Sequence, residues 1–319
     1  MAGNLDDKKI RELELQANEI RITIIEALIE AGSGHTAGPL GMADIFTYLF
    51  FHELRHDPKN PEWSERDRLV LSNGHICPVL YATMAHAGYA SVDEYKKTLR
   101  KFGTKFQGHP HREYFPALET SSGPLGSGLS QATGMALAER IDAQGLDAQG
   151  LDAQGLDAQG QSLDREKGLS LGGSTFYPYK KWIYCLMSDG ELDAGNSWEG
   201  AMLAGKEKLG NLIAIIDRNN IQIDGFTENI MPLEPLLDKW RAWNWHTQEI
   251  DGHNFQEIHD AIGRAKAVFD QPSVIIARTI PGKGVPAFER KYEWHGKPPN
   301  KEEGAMALKV LRELGEKLK

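Results

Sequence analysis

Apolar positions along the chain follow two alternating rhythms. Residues 6–31 place Ile10, Leu13, Ala17, Ile20, Ile24 and Leu28 at the spacing of a helix with one buried face, and the pattern stops at the glycine-rich AGSGHTAGPLG. DRLVLSNGH is a short apolar strand closing in a polar turn, and ICPVLYATMAHAGY after it returns to helical period. Strand-like runs recur in KWIYCLMSDG, NLIAIIDRNN, WHTQEIDGHN and SVIIARTIPGKG, each rich in β-branched or aromatic residues and followed by a turn with Gly or Asn. Helical segments, among them a Gly- and Ala-rich one at 128–140, separate most of them. Strands apolar nearly throughout, alternating with helices, predict a single α/β domain over 1–319: three layers, with a largely parallel sheet covered by helices on both faces. Such sheets bind ligands beyond the carboxyl ends of their strands. His75, Asp189, Asn219, His253 and Gly282 follow those ends and are expected along one edge.

One segment breaks the alternation. LDAQGLDAQGLDAQG repeats a short unit through about residue 160, after the near-match IDAQG. The unit lacks the apolar content of a core, and its copies are too few for a stacked solenoid. Residues 141–178 are therefore expected to be a low-complexity insertion, poorly ordered, on the surface of the domain.

The net charge of -9 argues against a nucleic-acid or anionic-membrane surface, either of which needs a basic patch. Cys77 and Cys185 each lie in or beside an apolar segment and are expected to be reduced and buried, which fits a cytoplasmic protein. No apolar run approaches the ~18 residues of a membrane span. MAGNLDDKKIRELELQ is too charged for a signal peptide.

The chemistry concentrates at IYCLMSDGELDAG, where an apolar run ends in Asp189, Glu191 and Asp193. The next strand ends in DRNNIQIDG, and the intervening NSWEGAMLAGKEKLG makes one βαβ unit that brings Asp189 and Asn219 to neighbouring strand ends. A carboxylate, a carboxamide oxygen and a backbone carbonyl are hard ligands suited to magnesium or calcium, with room for phosphate oxygens. Glu191 and Asp193 read as charges in the turn leading into the next helix, whose amino terminus favours them. GSGHTA formally fits a dinucleotide fingerprint but follows a helix instead of a strand. The tail NKEEGAMALKVLRELGEKLK reads as a solvated amphipathic helix. Of the histidines, His56, His86, His246 and His259 lack a Gly-rich context and are expected to be structural or surface residues.

SDG followed by NN resembles the diphosphate-binding motif of thiamine-diphosphate enzymes, with Ser188 in place of its first glycine. Within that superfamily the chain is similar to the amino-terminal half of transketolases. GSGHTAGPLGMADI, LSNGH, GHPHREYFPALETSSGPLGSGLSQATGMA, SDGELDAGNSWE, LGNLIAIIDRNNIQIDG, IDGHN, TIPGKGV and WHG follow in order from about residue 8 to residue 315.

The resemblance implies thiamine diphosphate and a divalent ion, Mg2+ with Ca2+ as an alternative, held by Asp189, the Asn219 side chain and the backbone carbonyl of Ile221. It implies that Gly190 and Asn219 contact the diphosphate, that His75 and His295 face the cofactor, and that Gly123, Pro124 and Leu125 lie against the aminopyrimidine side. His35, His109 and His295 would line the substrate channel and move protons during carbon–carbon cleavage. The implied activity is transfer of a two-carbon ketol unit from a ketose phosphate to an aldose phosphate, as in the pentose phosphate pathway. In the family, the activating glutamate and the basic residues gripping the sugar phosphate lie on a following domain. The chain therefore resembles the amino-terminal subunit of a split transketolase, in a heterotetramer with two copies of a carboxy-terminal subunit. Other thiamine enzymes, a deoxyxylulose phosphate synthase or a 2-oxo acid dehydrogenase α chain, are the nearby alternatives, and a non-catalytic cofactor-binding homologue the distant one. The family often carries a glutamate where this chain has Ala194; Glu199 remains.

Overall fold

The fold is set at its first helix by matched start and stop signals. In the computed structural model, which describes residues 5–143, 169–171, 174–176 and 181–319, α1 (Asp7–Ala31) begins where the Asp6 side chain accepts from the Lys9 amide. It ends at Gly32, which takes the left-handed conformation such a stop requires. The LDAQG repeat, and with it the expectation of poor order over 141–178, lies outside the described residues apart from short pieces.

After α1 come α2 (Ala37–Tyr48), β1 (Arg68–Leu71), α3 (Cys77–His86), α4 (Val92–Thr98) and α5 (Ser127–Ala143), then a small antiparallel pair, β2 (Leu169–Leu171) and β3 (Ser174–Phe176). The second half runs β4 (Ile183–Ser188), α6 (Gly195–Lys206), β5 (Leu212–Arg218), β6 (Ile221–Gln222), β7 (Gly225–Phe226), α7 (Thr227–Ile230) and α8 (Leu236–Ala242). It closes with β8 (His246–Asp251), α9 (Phe255–Lys266), β9 (Ser273–Arg278) and α10 (Lys301–Leu318).

Five strands form the central sheet in the order β1-β4-β5-β9-β8, every neighbouring pair parallel. Their side chains alternate between two cores. Tyr184 and Leu186 of β4, Ile213 and Ile215 of β5, and Ile275 and Ala277 of β9 pack on the layer built from α1, α2, α3 and α9. Cys185 and Met187, Ala214 and Ile216, and Val274 and Ile276 face the layer of α5, α6 and α8. Strands buried on both faces need no polar alternation, which is why these runs are apolar throughout. Both cysteines are free and buried.

α10 starts in a capping box of Asn300 and Glu303 and lays Ala307 and Leu311 against α1, where Asn18 donates to the Leu311 carbonyl. Its solvated face matches the expectation, but the other face closes the first core. Among the described residues no helix is long and apolar enough to cross a membrane.

The second core depends on a close approach. A Cβ on Gly205 of α6 would stand 1.9 Å from the Trp243 carbonyl oxygen, just past α8. Trp245 then reaches back to donate its indole N–H to the Ala201 carbonyl at 2.9 Å. Gly205→Ala is expected to lower stability by about 1–3 kcal/mol, the usual range for overpacking, measured as a lower denaturation midpoint in urea; an unchanged midpoint would refute the close packing.

Candidate functional site

Parallel register puts the first site residues together. Ser188 of β4 is in register with Asp217 of β5, and the Asp189 amide donates to the Asp217 carbonyl at 3.1 Å. Asp189 is therefore buried at the strand end, beside Arg218, Asn219 and Asn220. Its Oδ2 accepts from Arg218 Nη1 at 3.0 Å, from the Asn220 amide at 2.8 Å and from the Thr227 hydroxyl at 3.4 Å, while among the described residues Oδ1 accepts only from the Gly190 amide, at 2.8 Å. Burial raises the Asp189 carboxyl above its ordinary range, and Arg218 and the amides of Asn220 and Gly190 oppose the rise. Asn220 adopts a left-handed conformation, φ 64°, which asparagine tolerates better than most residues and which turns its amide onto Asp189.

Asn219 is oriented from behind. Its Nδ2 donates to Asp217 Oδ2 at 2.7 Å, which fixes the carboxamide oxygen at the opposite end, where it accepts from the Ile221 amide at 3.0 Å. Asp217, itself buried, also accepts from the Thr279 hydroxyl. Among the described residues no three His, Cys, Asp or Glu side chains converge on a metal-sized point. The donor set is instead one carboxylate with an under-used oxygen, one oriented carboxamide and the adjoining backbone, which suits a hard divalent ion that keeps other ligands of its own. Arg218, with 1% of its side chain exposed, would oppose such an ion, but it is also paired to Glu228 and Glu234.

The histidines gather at the same sheet edge. The rings of His35, His75 and His295 stand 4.9, 5.4 and 5.2 Å apart by centroid. His109 packs beside Gly74 and Gly123, its Cδ2 3.2 Å and 3.7 Å from where their Cβ atoms would be. His109 thus joins the other three rings through Gly74, next to His75, with the turn Gly123–Leu125, exposed at Pro124 and Leu125, alongside. Burial is the first cause of low basicity in all four: His35 is held at about 4, with His295, Arg100 and His109 adding to the effect, and His75, His109 and His295 shift the same way. Neutral imidazoles can both donate and accept. Buried polar atoms without partners cluster here: His35 Nδ1, His295 Nδ1, Ser122 Oγ and both amide atoms of Asn73. Orphans of this kind, beside hard oxygen donors at the strand ends, fit a polar ligand that completes them.

Two expectations are corrected. Glu191 is not a helix-capping charge: it is 1% exposed, its Oε1 accepting from the Ser188 amide at 2.7 Å and its Oε2 from the Ser72 hydroxyl at 2.5 Å and the Gly126 amide at 2.6 Å. Burial pushes its carboxyl up to about 7 against those three donors. Asp193 does not cap either; it is exposed and accepts from Gln222, while the N-cap of α6 is Ala194, which offers no side-chain cap. His253 lies at the expected edge but outside the cluster. It bonds Asp44 through Nδ1 and accepts from the Ile280 amide, both at 2.7 Å, tying the loop after β9 to α2.

His56, His86, His246 and His259 each have structural partners: Tyr89 and the Phe50 carbonyl, Thr23, Ser273 and Tyr48. Sequence reasoning missed Asp217 and Arg218 as site residues. A charged pair inside the otherwise apolar NLIAIIDRNN was the available signal.

The family model described as transketolase, thiamine diphosphate binding domain, matches residues 13–157 and 165–315. A 6-deoxy-6-sulfo-D-fructose transketolase subunit of Clostridium sp. is 38% identical over 304 residues, spanning 95% of this chain and 98% of that protein. Transketolase 2 of Escherichia coli is 40% identical over 92% of this chain, which spans only 40% of that enzyme. A solved transketolase mutant from Pichia stipitis superposes with a TM-score of 0.79 at 31% identity, over 96% of this chain and 40% of that one.

Two outcomes test the site's physics. His35 titrates near 6.5 when unfolded and near 4 when folded, so as pH falls through that window the unfolded chain takes up a proton that the fold refuses. Stability is expected to drop between about pH 6.5 and 4, and less steeply in His35→Asn, read from denaturant midpoints; equal slopes would refute the assignment. In Glu191→Gln the amide group faces at least one of the three donors, and a loss of about 1–3 kcal/mol is expected at neutral pH, seen in thermal unfolding.

Proposed function

The chain belongs to the transketolase family, and we propose that it is the amino-terminal subunit of a split enzyme that moves a two-carbon ketol unit from a ketose phosphate to an aldose phosphate. The observation that carries this reading is the shared edge of the sheet, with hard oxygen donors at the ends of β4 and β5 and a neutral histidine cluster beside them.

Asp189, the Asn219 carboxamide and the Ile221 carbonyl would hold Mg2+, or Ca2+, and Gly190 and Asn219 would meet the diphosphate. His75, His295 and the Gly123–Leu125 turn would bound the cofactor. Thiamine diphosphate supplies, when bound, a stabilised carbanion for breaking and making the carbon–carbon bond. His35, His109 and His295, held neutral by burial, would hydrogen-bond sugar hydroxyls and accept or return the hydroxyl proton as the bond changes.

A carboxy-terminal subunit would supply the pyrimidine side, in a heterotetramer with two copies of each chain. Two coverages support this: nearly all of the Clostridium subunit, but well under half of the E. coli enzyme. A cytoplasmic place in the pentose phosphate pathway follows from the same reading. The near-complete mutual coverage with the Clostridium subunit, whose name gives a sulfonated ketohexose, supplies one second reading, such a sugar as donor.

The test is assembly of the chain with its partner, calorimetry of thiamine diphosphate with and without Mg2+, and turnover of xylulose 5-phosphate against 6-deoxy-6-sulfo-D-fructose. Metal-dependent binding and turnover are expected only from the two chains together. Asp189→Ala is expected to weaken that binding by at least the about 10–100-fold typical of lost metal-site contacts. Full activity from the isolated chain would overturn the split-enzyme reading, and binding without turnover the catalytic one.

A further inference from the structure

Three carboxylates converge on one buried guanidinium at the end of β5. Arg218 Nη1 donates to Asp189 Oδ2 at 3.0 Å, and both side chains are 1% exposed. Nη2 donates instead to Glu228 and, at 3.1 Å, to Glu234, both of which are exposed. Among the described residues, Arg21 and Arg66 by contrast pair with one carboxylate each, Asp44 and Glu119.

The surroundings hold this cation in place. Glu228 Oε1 also accepts from the Leu233 amide at 3.1 Å, and Glu234 Oε2 from the Leu236 amide at 2.8 Å, so residues 228–236 wrap the guanidinium. Asp189 does not need Arg218 for its aim, because the Gly190 and Asn220 amides and the Thr227 hydroxyl already fix that carboxylate. What Arg218 adds is charge. Buried charges act on one another far more strongly than they do in water. A divalent ion on the freer Oδ1 of Asp189 would share that carboxylate with a fixed positive charge, whereas a diphosphate reaching the same strand end would be attracted by it. Arg278 adds little: among the described residues it reaches only Glu234 of the three carboxylates, at 3.5 Å, and it is itself engaged by Glu249.

We propose that Arg218 is a resident cation that biases the empty site toward the diphosphate and against the bare divalent ion. It lowers affinity for the ion alone and raises affinity for the diphosphate alone, so that the ion is taken up with the diphosphate. Glu228 and Glu234 set how much of that charge the site feels. This rests on the functional reading above and deepens it, by giving a role to a residue that is itself neither a metal nor a cofactor ligand.

The experiment uses the two-chain complex stripped of metal and cofactor, as wild type, Arg218→Gln, Arg218→Lys and Glu228→Gln. Mn2+, standing in for Mg2+, is titrated alone and followed by electron paramagnetic resonance; thiamine diphosphate is titrated in chelator and followed by calorimetry. Neither readout needs turnover. Arg218→Gln is expected to bind Mn2+ alone at least about 5-fold more tightly and thiamine diphosphate alone at least about 5-fold more weakly, the low end of ordinary coupling between sites. Arg218→Lys, which keeps the charge, is expected to stay near wild type in both. Glu228→Gln, on the exposed side, is expected to show smaller shifts of the opposite sense, and it decides alone if Arg218→Gln does not fold. Affinities that weaken together mark Arg218 as a structural tie and overturn the proposal, as do affinities that do not move. A wild type that binds neither ligand overturns the functional reading, and this proposal with it.

Discussion

The Glu191 carboxylate ties together the three backbone segments that frame the site. One oxygen takes the Ser188 amide at the end of β4; the other takes the Ser72 hydroxyl after β1 and the Gly126 amide before α5. The Ser72 oxygen in turn accepts from the Gly128 amide, and Gly126 sits so close to Asn196 and Ser197 that no side chain would fit there. A buried acid normally costs a great deal, and here burial does outweigh the donors enough to lift its pKa. The arrangement persists because its removal would leave several strand-end donors unpaired at once. Asp189, His75 and the Gly123–Leu125 turn all lie within a few residues of an atom that Glu191 holds.

The architecture was legible because it is written in the simplest signal. Five strand-like runs became the five strands of the central sheet, and the alternation of cores along β4, β5 and β9 accounts for the missing polar positions there. The full order β1-β4-β5-β9-β8 was not legible: the polar, alternately exposed HTQEID of β8 is compatible with an edge, but nothing local ranks the apolar runs among themselves.

The site divides in the same way. Asp189, Asn219 and the glycine-flanked histidines stand where a parallel sheet puts residues that follow its strands. Long-range hydrogen bonding could not be read. Glu191 lies 119 residues from Ser72, and Asp217 lies 62 from Thr279, so spacing alone left the first as an apparent capping charge and the second unremarked. Ala194 is the N-cap of α6 and offers it no side-chain cap.

The pairing of β1 with β4 also orders events in time. Asp67, just before β1, accepts from the Trp182 amide across 115 residues of chain, and β4 is the only strand beside β1 in the sheet. At ribosomal speeds of about 5–20 residues per second, β1 leaves the ribosome roughly 6–23 s before the strand it needs. α1, α2 and α3, which share one core, are complete much sooner. The part of the helical layer built by α1, α2 and α3 is therefore synthesised ahead of β4 and β5, whose ends lead into Asp189 and Asn219, while α9 and α10 complete that layer afterwards.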